Sequence, residues 1–161
     1  MTKTPKRRKP TGTTGPIRFG PDGTVREWVT FPETKEEIEV FIAEGFCKEA
    51  SGHRPHFKRY GKFVDLRQQR ENSIDFIVTT DLGDRWLELC EFAPLNEFGG
   101  SYDAVPTNWD VGRLLSLVLA LIEKKSQKKY GKNAILLIYK THSTLFIPPP
   151  IQRATRIKLK D

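Results

Sequence analysis

Cysteine is scarce in this chain of 161 residues. Its two cysteines, Cys47 and Cys90, are too few for the disulfide framework of a small secreted protein. No apolar run approaches the ~20 residues that a membrane-spanning helix needs, and the basic N-terminus lacks the apolar segment of a secretory signal. Internal repeats and Gly-rich phosphate loops of the Walker or Rossmann type are absent as well. These absences predict a cytoplasmic protein with no membrane partner.

Acidic residues are missing from the first 18 residues, although these hold six of the chain's 27 basic residues. The net charge of +7 is therefore concentrated at the N-terminus, and the remainder is nearly neutral. A segment of Lys, Arg, Thr, Pro and Gly cannot bury enough surface to offset its ordering entropy, so we expect a disordered basic tail over residues 1–18. Such an arm can pair with phosphates, and a purely solubilising terminus is the alternative. The candidate nucleic-acid contacts are Lys6, Arg7, Arg8, Lys9 and Arg18.

Apolar spacing predicts one helix and then a group of strands in the first half of the chain. Residues 20–24, GPDGT, indicate a turn before a short strand. Thr34 and Glu37 match a capping box, and the apolar residues that follow at helical spacing predict a helix over 35–49. The predicted strands are His56–Leu66, Ile74–Thr79 and Arg85–Phe92, of which the last two form a hairpin.

A second helix and one more strand are predicted in the other half. Thr107 and Asp110 repeat the capping-box spacing before a mostly apolar helix, for which Gly131 is the candidate C-cap. The apolar run Ala134–Tyr139 is typical of a central strand that is covered on both faces. Pro148–Pro150 is expected to end the regular fold and to leave residues 148–161 as a basic extension. The prediction is a single α/β domain over 19–147, with a mixed sheet flanked by helices.

Two carboxylates lie where apolar residues would be expected in the predicted hairpin. Asp75 opens one strand, and Glu88 lies midway along the next. Paired strands can bring such side chains together on one face, where they repel unless a cation or a shared proton lies between them. Glu91 points to the opposite face, because side chains alternate along a strand. The pattern therefore predicts a metal site built on Asp75 and Glu88.

This αβββαβ order, with its Asp and Glu on consecutive strands, resembles the restriction-endonuclease-like superfamily, whose motif is written PD-(D/E)xK. Ser73-Ile74-Asp75 and Glu88-Leu89-Cys90 stand for the two halves of the motif. The resemblance implies a restriction-endonuclease-like core and a nuclease that hydrolyses phosphodiester bonds. It implies a divalent ion, Mg²⁺ or Mn²⁺, held by Asp75 and Glu88, with Glu37 or Glu44 as an added acid from the first helix. The expected partner is nucleic acid, DNA more than RNA, and a homodimer is left open.

Cys90 stands where the motif has a lysine that helps to stabilise charge on the phosphate, and a thiol supplies no fixed positive charge. Lys140, at the end of the last strand, is the predicted catalytic replacement, and Arg85, Gln68 and Gln69 are the other candidates. The departure also supports an alternative function, a catalytically inactive member of the fold that serves as a nucleic-acid-binding or assembly module. An interaction protein independent of nucleic acid is a third hypothesis.

Other combinations of reactive residues are weaker. Cys47 with His53 and His56 lacks the regular spacing of a zinc site. A nucleophilic pair of Cys90 and His142 lacks a third, orienting residue. The lysines between 124 and 132 are interpreted as a solvated helix end, where cations complement the helix dipole.

Overall fold

The structure is a computed structural model that describes residues 13–50, 59–69, 74–128, 130–142, 145 and 147–160. The strands are β1 (Thr13–Gly20), β2 (Gly23–Val29), β3 (Phe63–Gln68), β4 (Phe76–Thr80), β5 (Gly83–Glu91) and β6 (Ala134–Tyr139). The α-helices are α1 (Lys35–Ala50), α2 (Val111–Ser126) and α3 (Pro149–Lys158). The fold is therefore α/β, and the predicted order of helix, three strands, helix and strand is present. None of the helices described has the length and apolar character to cross a membrane.

The chain divides into two compact units. The first, which we call the sheet unit, comprises Pro32–Glu91 and Lys128–Tyr139 and contains α1 and strands β3 to β6. The second, which we call the α2–α3 unit, comprises Met1–Phe31, Phe92–Gln127 and Lys140–Asp161. It contains the β1–β2 hairpin and both later helices.

The sheet of the sheet unit has four strands in the order β3-β4-β5-β6. Strands β3, β4 and β5 are antiparallel, and β6 runs parallel to β5, so the predicted mixed sheet is confirmed. The prediction that β6 is a central strand is wrong, because no other described strand pairs with its outer side. An apolar run indicates that both faces of a strand are covered, but it does not count the strand's hydrogen-bonded neighbours.

The β4–β5 hairpin fixes the register of the sheet. Thr80 pairs with Gly83 across a two-residue turn, and Gly83 has a positive φ of 101°, which a residue with a side chain rarely adopts. The Thr80 hydroxyl donates to the Gly83 carbonyl at 2.7 Å, and the Thr79 hydroxyl donates to Asp84 at 2.9 Å. These bonds hold the turn that sets which residues of β4 and β5 face each other.

Helix α1 begins with the predicted capping box. The Glu37 amide donates to the Thr34 hydroxyl at 3.2 Å, and the Thr34 amide donates to the Glu37 carboxylate at 3.2 Å. The buried face of the helix carries Ile38 and Ala43. The remaining buried apolar residues of the sheet unit are Phe63, Phe76, Val78, Leu87, Leu89, Cys90, Ile135 and Tyr139.

Helix α2 begins one turn later than the capping-box spacing suggested. Asp110, not Thr107, is the N-cap, and its carboxylate accepts the Arg113 amide at 2.7 Å. The helix ends at Ser126 with Gln127 as C-cap, so the assignment of Gly131 to that position is wrong. Gly131 instead has a φ of 82° in the turn before β6, where a left-handed residue reverses the chain.

Two elements lie in segments where no regular structure was expected. Helix α3 begins at Pro149, immediately after the N-cap Pro148, because the first turn of a helix needs no backbone donors from its residues. Strand β1 occupies residues 13–20 and pairs antiparallel with β2, so the expected disordered tail does not extend to residue 18. Four predicted contacts, Lys6, Arg7, Arg8 and Lys9, lie outside the described residues, and Arg18 lies in β1.

Candidate functional site

The hairpin register brings the two predicted acids to one place in the sheet unit. Phe76 of β4 pairs with Leu87 of β5, so the next opposing positions are Asp75 and Glu88. Directly opposite residues in an antiparallel pair project from the same face of the sheet, with Cβ atoms ~4.5–5.5 Å apart. The Asp75 carboxylate accepts the backbone amide of Leu89 at 2.6 Å, which anchors this side chain against β5.

Glu88 is a buried carboxylate, with 3% of its surface exposed. Its Oε1 accepts the Tyr130 hydroxyl at 2.7 Å and lies 3.4 Å from the Lys128 ammonium nitrogen. Burial of a charge is costly unless hydrogen bonds and an opposite charge compensate it, and these two neighbours supply both. Glu88 is therefore a compensated buried charge and not a solvent-facing residue of β5.

Lys128 and Tyr130 reach Glu88 because of the turn that precedes β6. The Tyr130 amide donates to the Lys128 carbonyl at 2.9 Å, and the positive φ of Gly131 then redirects the chain into β6. Parallel pairing places Glu88 opposite Leu136, which keeps the start of β6 beside the middle of β5. The Lys128 nitrogen also lies 5.8 Å from the centre of the Tyr130 ring, within the range of a cation–π contact.

The electrostatics of this group keep the Tyr130 phenol protonated. Burial, the hydrogen bond to Glu88 and the charges of Glu88, Asp75 and Cys90 all raise the pKa of the Tyr130 phenol. The phenol is therefore protonated and acts as a donor at neutral pH.

Glu39 is a partly buried acid of α1. Its side chain is 13% exposed and lies 3.3 Å from the Lys35 ammonium nitrogen. Burial raises the pKa of Glu39, Lys35 opposes that shift, and the charge of Asp75 adds to it. The sequence pointed instead to Glu37 or Glu44, but both are exposed and Glu37 is held in the capping box. Helical spacing explains the difference: at about 100° per residue, Glu39 lies between the buried Ile38 and Ala43 around the helix, whereas Glu37 and Glu44 lie on the opposite side.

The residues proposed as substitutes for the motif lysine have other contacts. Arg85 donates to the Asn133 side chain at 3.3 Å, and the Gln69 amide donates to the backbone of Gln68 at 3.3 Å. Lys140 follows β6 directly, and burial lowers the pKa of its ammonium group. Its catalytic role stays a prediction. Lys128 is the cation that lies beside Glu88. From the sequence, this lysine was interpreted as part of a solvated helix end.

The donor set suits a hard divalent cation. Carboxylate oxygens are the ligands that Mg²⁺ and Mn²⁺ prefer, and Mg²⁺ is commonly held by one or two carboxylates with water and substrate phosphates completing its shell. In the described part of the chain, no group of three or more His, Cys, Asp or Glu side chains is arranged to hold a metal ion. His53 and His56, considered with Cys47 for zinc, lie outside the described residues. Asp75 and Glu88 thus form a two-carboxylate candidate.

Comparison with known proteins adds no assignment, since no protein-family model, curated protein or solved structure matches this chain. The site must therefore be interpreted from its own residues. Sequence reasoning identified Asp75 and Glu88 but missed Lys128, Tyr130 and Glu39. The available signal was weak. It consisted of a lysine and a tyrosine just before an apolar strand, and that strand runs parallel to the strand that carries Glu88.

Proposed function

We propose that this protein is a divalent-metal-dependent nuclease, with a restriction-endonuclease-like core, that hydrolyses phosphodiester bonds in nucleic acid. The observation that carries the proposal is the register that sets Asp75 opposite Glu88, together with the Lys128 nitrogen 3.4 Å from Glu88. Two carboxylates on one strand pair, with the Lys128 ammonium group beside Glu88, are the charges that binding a metal and a phosphate would require. The order of elements and the mixed sheet support the same proposal.

Asp75 and Glu88 hold the metal ion in this proposal. When bound, a divalent ion lowers the pKa of coordinated water and neutralises charge on a phosphate. Tyr130 donates to Glu88 and so fixes the orientation of that carboxylate. The hydrogen bond from Leu89 does the same for Asp75. The chain thereby holds both acids in place through groups that remain protonated at neutral pH.

Lys128 takes the part of the motif lysine that Cys90 cannot supply. Its side chain is 60% exposed, whereas that of Glu88 is 4% exposed. The ammonium group can therefore turn from Glu88 toward a phosphate oxygen, while Glu88 stays fixed. A metal ion bound at Glu88 would favour that movement, because the two cations repel each other.

Cleavage assays with matched variants test the proposal. Purified protein with Mg²⁺ or Mn²⁺ is incubated with plasmid, single-stranded DNA and RNA. We expect cleavage that is lost in Glu88→Gln and Asp75→Asn and reduced by at least about 10²-fold in Lys128→Ala, since removal of one charge-stabilising group costs that much. Lys124→Ala, an exposed lysine of α2, is the control. Parent protein that is folded and cleaves no substrate would contradict the proposal.

A catalytically inactive binding module is the second candidate, and one observation favours it. Lys128 and Tyr130 already compensate the charge of Glu88, so these residues are also consistent with a purely structural role. Such a module would keep its nucleic-acid affinity in Glu88→Gln and Asp75→Asn. Binding without cleavage, unchanged in both variants, distinguishes it from the nuclease.

A further inference from the structure

Helix α3 and the turn that follows it carry four basic residues and no acid. The four, all of them exposed, are Arg153, Arg156, Lys158 and Lys160. In the described part of the chain, no carboxylate forms an ion pair with any of these side chains. The positive charge of this surface is therefore not compensated by another described element.

Helix α3 has one buried face and one exposed face. Ile151 and Thr155 are buried, and the helix packs against α2. Arg153, Arg156 and Lys160 lie on the side away from these two residues and within about 60° of one another, because an α-helix turns by about 100° per residue. We call these three residues the basic face. Three positive charges are therefore gathered on the side of α3 that solvent reaches.

The basic face is not explained by the stability of the helix. Arg153 and Arg156 are three positions apart, and Arg156 and Lys160 are four apart, which are the spacings at which like charges repel on a helix surface. The helix dipole favours cations only in the last turn, and Arg153 lies more than one turn before the last helical residue. A polyanion bound along this face would relieve the repulsion between its cations.

Two kinds of polyanion carry phosphate charge, an anionic lipid surface and a nucleic acid backbone, and the packing of α3 favours the second. A helix that binds at a lipid surface lays its apolar face into the bilayer, but the apolar face of α3 is buried within the protein. The exposed apolar side chains Ile157 and Leu159 lie on the two flanks of the basic face, about 160° apart, so they form no common stripe. A phosphate backbone requires only cations at the surface.

We propose that the basic face of α3 binds the phosphate backbone of nucleic acid. The inference rests on the proposed function for nucleic acid as the partner, and it adds a surface of the α2–α3 unit that holds this partner. From Arg153 to Lys160 the basic face is about 10 Å long at about 1.5 Å per residue, and a duplex presents about six phosphate charges over that length. Phosphate contacts carry no sequence information, so the basic face contributes affinity without reading the bases.

Binding of a fluorescein-labelled 20-base-pair DNA duplex, measured by anisotropy in EDTA, tests the inference without cleavage. Each phosphate contact contributes about 0.9 to the slope of log affinity against log salt concentration. We expect the pair Arg153→Gln and Arg156→Gln to lower that slope by about 1.8, so a rise from about 50 to 200 mM salt weakens the parent about 12-fold more than this double variant. Lys158→Gln removes a charge of the same sign from the side of the buried face and should leave the slope unchanged. The pair Arg153→Lys and Arg156→Lys keeps both charges and should keep the parental slope.

All three substituted positions are exposed, so the variants should fold as the parent does, which circular dichroism checks. Equal slopes for the parent and the glutamine pair, an equal loss per charge in Lys158→Gln, or no binding of the duplex by the parent overturns the inference. Binding to vesicles of equal parts phosphatidylcholine and phosphatidylserine that depends on the two arginines, when binding to DNA does not, overturns it in favour of a lipid surface. A lowered slope in a protein that cleaves nothing leaves this inference intact and removes the proposed nuclease. Cleavage that requires Glu88, with a slope that ignores both arginines, does the reverse.

Discussion

Tyr130→Phe isolates the hydrogen bond that sustains a buried carboxylate at the candidate site. The substitution removes one hydroxyl and leaves the ring, so packing is conserved and only the 2.7 Å bond to Glu88 is lost. A hydrogen bond to a charged group contributes about 1.5–3 kcal/mol to stability, and loss of one partner leaves the other buried and less well solvated. We therefore expect the free energy of unfolding to fall by about 1.5–3 kcal/mol. For a chain of this length, that loss lowers Tm by about 3–12 °C.

Urea denaturation followed by circular dichroism and tryptophan fluorescence measures the effect, and a double-mutant cycle assigns it. In the Glu88→Gln background the carboxylate charge is absent, so Tyr130→Phe should cost only about 1 kcal/mol, the value for a neutral hydrogen bond. The coupling energy between the two positions should then be about 0.5–2 kcal/mol. A cost below about 0.5 kcal/mol in the parent, or the same cost in both backgrounds, would refute the argument that Tyr130 compensates a buried charge.

Three other predictions test the local chemistry. Asp110→Ala removes the N-cap of α2 and should lower stability by about 1 kcal/mol in thermal melts, whereas Thr107→Ala should be neutral; the opposite result would restore the capping box expected from spacing. Gly61→Ala should cost about 1–3 kcal/mol, because φ is 86° and the added Cβ would lie 2.5 Å from an oxygen of the Asp81 carboxylate. Gly45→Ala, in open space on α1, should raise the free energy of unfolding by about 0.5–1 kcal/mol. Equal effects at the two glycines would contradict the argument that φ and the contact with Asp81 make Gly61 different. Because burial raises the pKa of Glu39, the folded state binds its proton more tightly, and ionisation destabilises the fold as pH rises through that pKa. Glu39→Gln should therefore raise Tm at pH 7–8 and lose this advantage near pH 4, whereas a gain that does not vary with pH would exclude Glu39 ionisation as the cause.

Much of the fold could be predicted from local sequence patterns. The capping box at Thr34 and Glu37 and the apolar run Ala134–Tyr139 each marked an element that the structure contains. These signals depend on neighbours within a few positions, so a sequence states them directly. Helix α3 was missed because a run of prolines usually breaks a helix, although the first turn tolerates them.

The sequence predicted the positions of the two hairpin acids but not that of the acid on α1. The turn between β4 and β5 is local, so the opposition of Asp75 and Glu88 follows once the hairpin register is known. Glu39 could not be selected in this way, because several acids of α1 are available and only packing decides which one is buried. The choice among Glu37, Glu39 and Glu44 is a property of the folded unit.

The sequence by itself determined the α/β class, the order of helix, three strands, helix and strand in the middle of the chain, and the presence of two carboxylates on one hairpin. Periodicity and turn chemistry encode these features over short distances. Only the tertiary structure decided which groups surround Glu88. Lys128 and Tyr130 lie forty and forty-two positions away in the chain. Parallel pairing of β6 with β5 brings them to that carboxylate, and no local pattern records a contact made across such a separation.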